Sequence, residues 1–152
     1  MKIEGHYVPL KNARFAVVVA RTNALITERL LAGCLDCLHR HGVKEPAIDV
    51  VYVPGSFELP VAVKAVCKKK YQAVVALGCV IRGGTPHFEY IAGEAARGVT
   101  RAALDSGIPV AFGVLTCDTL EQALERAGAK GGNKGWEAAL SALEMADLLT
   151  KL

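Results

Sequence analysis

At 152 residues, 52% hydrophobic but only 6% aromatic, the chain has the length of one domain and an aliphatic, alanine-rich core that suits α/β layering better than a β-sandwich. A formal net charge of +3, with no Lys/Arg run interleaved with aromatics, argues against a nucleic-acid partner. No apolar run reaches membrane-spanning length and no signal peptide is visible, so a cytoplasmic protein without a membrane partner is expected.

Residues 1–12 carry little pattern, and Pro9 and Lys11-Asn12 break any long element. An arm or edge strand is expected there, with a single domain over residues 13–152. Phe15 to Ala20 is a continuous apolar run and reads as a strand buried on both faces. Arg21-Thr22-Asn23 is a polar turn. The helix after it aligns Ile26, Leu30, Cys34 and Leu38, leaves Glu28, Arg29, Asp36 and Arg40 to water, and closes at Gly42.

Ile48 to Val53 is the second strand. Pro54-Gly55-Ser56 turns the chain, and Ser56 is the expected cap of a helix that tolerates Pro60 in its first turn and runs to about Lys69. Lys68-Lys69-Lys70, the one basic cluster, then sits at a helix end where the dipole favours it. The five cysteines lie scattered in apolar segments. Cys34-x-x-Cys37 matches a redox motif in form only, because it falls inside a helix, and no second pair completes a zinc site. All five read as small buried hydrophobes.

The third strand, Ala73 to Leu77, leads into Gly78-Cys79-Val80-Ile81-Arg82-Gly83-Gly84-Thr85-Pro86-His87. Thr85-Pro86 reads as a helix start, a hydroxyl cap followed by a residue whose missing N–H is harmless at the first position. Gly83-Gly84 allows close backbone approach and positive φ. A glycine turn feeding a helix N-terminus is a seat for phosphate or another anion, and a neutral imidazole at His87 beside it suits proton transfer. An ordinary βα turn with a surface histidine satisfies the same pattern.

The helix from Pro86 to about Ser106 is lined with small residues, including Gly93 and Gly98 in its interior. Each interior glycine costs roughly 1 kcal/mol relative to alanine, so close backbone approach to the sheet or to a neighbouring subunit is expected in return. Val110 to Thr116 is strand four. Asp118-Thr119-Leu120-Glu121 is a capping-box pattern with Asp118 in the cap position, opening a short helix through Arg126. Gly128 to Gly135 is not a Walker loop, since Asn133 occupies a required glycine position, and Trp136 to Leu149 is a last amphipathic helix. The β-α-β-α-β-α-β-α-α order implies an α/β fold, a three-layer α/β/α sandwich on a central four-stranded parallel sheet, flavodoxin-like, with ligands beyond the strands' carboxyl ends.

Four separated motifs, Val53 to Pro60, Leu77 to His87, Phe112 to Thr116, and Glu125 to Gly135, resemble lumazine synthase, the penultimate enzyme of riboflavin biosynthesis, in order and without evident insertion. The resemblance implies condensation of 5-amino-6-ribitylaminouracil with 3,4-dihydroxy-2-butanone 4-phosphate to 6,7-dimethyl-8-ribityllumazine, with no metal or organic cofactor. It implies that Ser56, Phe57 and Glu58 hold the ribityl chain, and that main chain around Val80, Ile81 and Arg82 reads the pyrimidine. Gly84, Thr85 and Arg126 bind phosphate, and His87 is the catalytic acid/base. Phe112, Arg126 and Lys134 are implied to close the site from a neighbouring subunit of a homopentamer; without the resemblance, Arg126 reads only as a favourable charge in a helix's last turn. A 60-subunit shell and riboflavin synthase as a partner follow from the same source. Thr22 departs from the family, which places an aromatic there to stack on the pyrimidine. An assembly protein on the same scaffold, with catalysis weakened or lost, is the alternative that this departure raises.

Overall fold

The computed structural model describes residues 1–152. Four strands form one parallel sheet, β1 (Phe15–Ala20), β2 (Ile48–Val53), β3 (Ala73–Ile81) and β4 (Val110–Cys117), in the order β2-β1-β3-β4. The helices are α1 (Ala24–Arg40), α2 (Leu59–Val66), α3 (His87–Ser106), α4 (Leu120–Arg126) and α5 (Lys134–Leu149). Side chains alternate across the sheet, as its period of two requires. Phe15, Val17 and Val19 of β1 face the layer with α1 and α5, while Ala16, Val18 and Ala20 face α2 and α3. Burial on both faces is why β1 and β3 read as unbroken apolar runs.

The expected α/β sandwich is therefore present, and several boundaries move. β3 continues to Ile81, past Gly78, instead of ending at Leu77. Its register with β1 stops at the Val19–Leu77 pair, whereas its register with β4 continues to Ile81–Cys117. α2 ends at Val66, so the lysine cluster follows the helix. Thr119, not Asp118, caps α4: its Oγ1 accepts from Gln122 N at 3.2 Å, while Gln122 Oε1 accepts from Asp118 N at 2.8 Å. β4 keeps Cys117, which shifts the cap by one position. Asn133 caps α5, accepting from Trp136 N at 3.1 Å, and its amide donates to Arg29 O at 3.0 Å, which ties α5 to α1.

Residues 1–12 form no strand and lie along the end of α5. His6 N donates to Asp147 Oδ2 at 2.7 Å, Lys151 Nζ donates to Glu4 O at 2.9 Å, and Tyr7 meets His41 edge-on. At the sheet's other edge, Asp49 on β2 accepts from Arg14 Nη2 and Tyr71 Oη, both at 2.6 Å. The Tyr71 hydroxyl, then the Arg14 guanidinium, hold the Asp49 carboxyl below the usual carboxylate range.

The interior glycines of α3 serve different ends. A Cβ at Gly98 would lie 2.5 Å from Pro60 Cβ, so this glycine lets α3 close on α2, whereas one at Gly93 would meet only the side chain of Arg97. All five cysteines are unpaired and buried. Burial pushes the thiols of Cys34 and Cys79 up to about 12 and that of Cys37 up to about 11.

Candidate active site

Beyond the carboxyl ends of β1 and β3, where the strand order reverses, lies a cavity of about 420 Å³. The turn after β1 supplies Thr22 and Asn23, the turn after β2 supplies Gly55 to Glu58, and the end of β3 supplies Cys79, Val80 and Ile81. His87 and Ile91 of α3 complete the wall. Seven of the expected site residues thus converge here: Thr22, Ser56, Phe57, Glu58, Val80, Ile81 and His87.

The overhang of β3 past β1 gives this cavity its backbone. Arg82 N donates to Cys117 O at 2.8 Å on the β4 side. Alternation along an extended strand then turns the N–H and C=O of Ile81 to the other side, which β1 no longer covers. One overhanging group is already taken: Cys79 O accepts from Asn23 Nδ2 at 2.8 Å. Asn23 is a site residue missed in the sequence. It holds a left-handed φ of 61°, which asparagine tolerates better than most residues, and its place in the polar turn after β1 is the signal that could have found it.

Ser56 does not cap a helix. It opens a 3₁₀ turn, Ser56–Glu58, and its Oγ is buried without a hydrogen-bond partner at the cavity wall. A buried hydroxyl left unpaired costs on the order of 1–3 kcal/mol, so it is a ready partner for a hydroxylated ligand. Gly78 makes room for it, because a Cβ there would stand 2.6 Å from Ser56 Oγ. Glu58 Oε2 and Thr22 Oγ1 each lie 3.2 Å from where a Cβ on Gly55 would be, and Thr22 Oγ1 donates to Pro54 O at 2.9 Å. Phe57 is 56% exposed, a large apolar surface at the cavity mouth.

The turn after β3 differs from expectation in two respects. Pro86, not Thr85, holds the N-cap position of α3, with no side-chain cap bond, and neither Gly83 nor Gly84 takes a positive φ. Gly83, Gly84 and Thr85 are exposed, next to the amino end of the 20-residue α3. Arg82 turns its side chain to Asp118 and Glu89.

Three expected residues stand apart. Arg126 and Lys134 line a second cavity of about 380 Å³ beside β4, with Thr116, Cys117 and Glu137. Phe112 sits on β4 outside both cavities, 36% exposed. Arg126 on α4, Lys134 on α5 and Phe112 on the edge strand β4 line no part of the cavity that His87 lines.

The cavity therefore offers an unpaired hydroxyl, a carboxylate, strand-end amide groups and an imidazole beside an open helix terminus, a set suited to a polyhydroxylated, amide-bearing ring and an anion. The family model for 6,7-dimethyl-8-ribityllumazine synthase matches residues 12–150. A relative from Halorhodospira halophila, named 6,7-dimethyl-8-ribityllumazine synthase, is 57% identical over 150 residues, covering 98% of this chain and 96% of its own. With the family model and this relative both matching nearly its whole length, the chain belongs to the 6,7-dimethyl-8-ribityllumazine synthase family.

Proposed function

We propose that the chain runs the reaction of its family in riboflavin biosynthesis, joining 5-amino-6-ribitylaminouracil to 3,4-dihydroxy-2-butanone 4-phosphate with release of phosphate and water. The observation that carries this reading is the convergence of Ser56, Glu58, Ile81 and His87 on one cavity at the strand-order reversal. Ser56 Oγ, Glu58 and the turn through Phe57 take the ribityl hydroxyls, with Glu58 as acceptor. The strand-end backbone through Val80, Ile81 and Arg82 reads the pyrimidine, and Thr22 lies alongside its ring. Gly84 and Thr85 seat the phosphate at the amino end of α3.

Condensing an amine with a ketone requires a proton for the departing hydroxyl, and expelling phosphate requires one taken from carbon. His87 lines the cavity one turn of chain from the phosphate seat, which suits it to both transfers. Holding the two substrates together supplies much of the remaining rate.

Phe112, Arg126 and Lys134 serve the cavity of a neighbouring copy in a homopentamer. Their support is that none of them lines their own chain's cavity and that Phe112 lies on an open sheet edge. The same reading extends to twelve pentamers in a 60-subunit shell, with riboflavin synthase as partner, in the cytoplasm. Thr22 is a single departure and retains a hydrogen bond in the turn, so the alternative of a shell without catalysis is not favoured. Following lumazine formation from the two substrates tests the activity, and no product would refute it. Native mass measurement tests the shared site: an active monomer overturns it, and free pentamers remove only the shell.

A further inference from the structure

Gly83, Gly84 and Thr85 engage in no hydrogen bond within the chain, and a Cβ on either glycine would meet nothing within 4 Å. The turn is nevertheless flanked on both sides by one side chain. Arg82 Nε donates to Asp118 Oδ1 at 2.8 Å, Arg82 Nη1 donates to Glu89 Oε1 at 3.2 Å, and the guanidinium carbon stands 4.5 Å from the centroid of Phe88. Asp118 is itself fixed, its N–H donating to Gln122 Oε1. Arg82 thereby links the end of β3, the end of β4 and the first turn of α3, the three places that bound the turn. A planar, forked guanidinium presents two separate nitrogens to the two carboxylates and its plane to Phe88, a fixed geometry that a single ammonium nitrogen lacks. With two carboxylates beside it, its charge is already balanced. The pairs are solvent-exposed, with side-chain exposures of 44% for Arg82, 66% for Glu89 and 65% for Asp118, so they add little to global stability.

We propose that Arg82 is a positioning residue whose latch to Asp118 and Glu89 holds the Gly83–Thr85 turn ready for the phosphate, without contacting that phosphate itself. The proposal rests on the reading above that this turn seats the phosphate. Asp118→Asn combined with Glu89→Gln breaks the latch while leaving Arg82 and its charge in place. Affinity of the intact assembly for inorganic phosphate, by calorimetry, and the KM of each substrate are the measurements. With the latch broken, phosphate binding weakens and KM for the four-carbon phosphate rises, both about three- to tenfold, while KM for the pyrimidine stays within about twofold. Arg82→Lys, which keeps the charge and loses the fork, shifts the same two quantities in the same direction. If Arg82 instead gripped the phosphate, removing the two carboxylates would free it and tighten phosphate binding. That result overturns the proposal, as does an unchanged KM, an equal rise in both KM values, or a wild-type protein that binds no phosphate. Phosphate binding that responds as stated in a protein forming no lumazine would support the latch and sink the assigned activity alone.

Discussion

Gly78→Ala tests how the sheet shapes the cavity. The added methyl would lie 2.6 Å from Ser56 Oγ and 3.2 Å from Leu59 Cδ1, against an ordinary contact that begins at 3.4 Å, so the serine must retreat by ~0.8 Å. Ser56 is 5% exposed and opens the 3₁₀ turn, so crowding its side chain is expected to shift that turn and with it Phe57 and Glu58. Overpacking of this kind costs about 1–3 kcal/mol of stability. A displacement near 1 Å at a positioning group lowers rate by up to about 10²-fold. The expected variant is folded, with an unfolding midpoint in denaturant reduced accordingly, and with kcat/KM down by about 10- to 100-fold, chiefly through the pyrimidine. Leu143→Ala, a core truncation away from the cavity, should lose about 2–5 kcal/mol and keep kcat/KM while folded, which separates the two effects. Wild-type kcat/KM in Gly78→Ala would refute the claim that this strand holds the binding turn in place.

His87→Ala should slow turnover by about 10²–10⁴-fold and leave residual product formation; wild-type turnover removes the residue from the proton transfers. Thr22→Phe supplies the ring face that threonine lacks, worth about 0.5–1.5 kcal/mol, so a ribityl-pyrimidine analogue should bind roughly three- to tenfold more tightly by titration. Equal or weaker binding would show that the Thr22–Pro54 hydrogen bond has reshaped the turn. Asp49, its carboxyl lowered by Tyr71 and then Arg14, adds stability that is present above the ordinary carboxylate range and lost as pH falls through its depressed folded value. Asp49→Asn should thus be slightly less stable than wild type at pH ~7, by less than about 1 kcal/mol, with the difference vanishing at strongly acid pH. A difference independent of pH would exclude the carboxylate.

Strands and main helices were legible because their signals are local: an unbroken apolar run is a strand covered on both faces, and a stripe with helical spacing is a helix on a sheet. The extension of β3 was not. Gly78 resembles the start of a turn, and the reason it is glycine, the hydroxyl of Ser56, comes from a distant part of the chain. Thr119 was missed as a cap because Asp118 beside it could serve equally, and only the length of β4 decides between them; Asn133 was missed because the last helix starts two residues earlier than Trp136. Of the cavity, the residues on strand ends were readable from topology. That Arg126 and Lys134 line a different cavity, with Thr116 and Cys117 of β4, follows from how α4 and α5 pack, and nothing in their local sequence indicates it.

The buried thiols have a use unrelated to catalysis. Cys67 belongs to the layer with α2 and α3, while Cys34, Cys37, Cys79 and Cys117 belong to the layer with α1 and α5. A buried, protonated thiol reacts with an alkylating reagent only when the structure around it opens. The chain therefore carries a separate chemical clock on each side of its sheet. If the two layers loosen independently, Cys67 will be labelled at its own rate; if the sheet gives way as one unit, all five will be labelled together. Cys79, at the cavity wall, is the thiol whose clock a bound substrate should slow most.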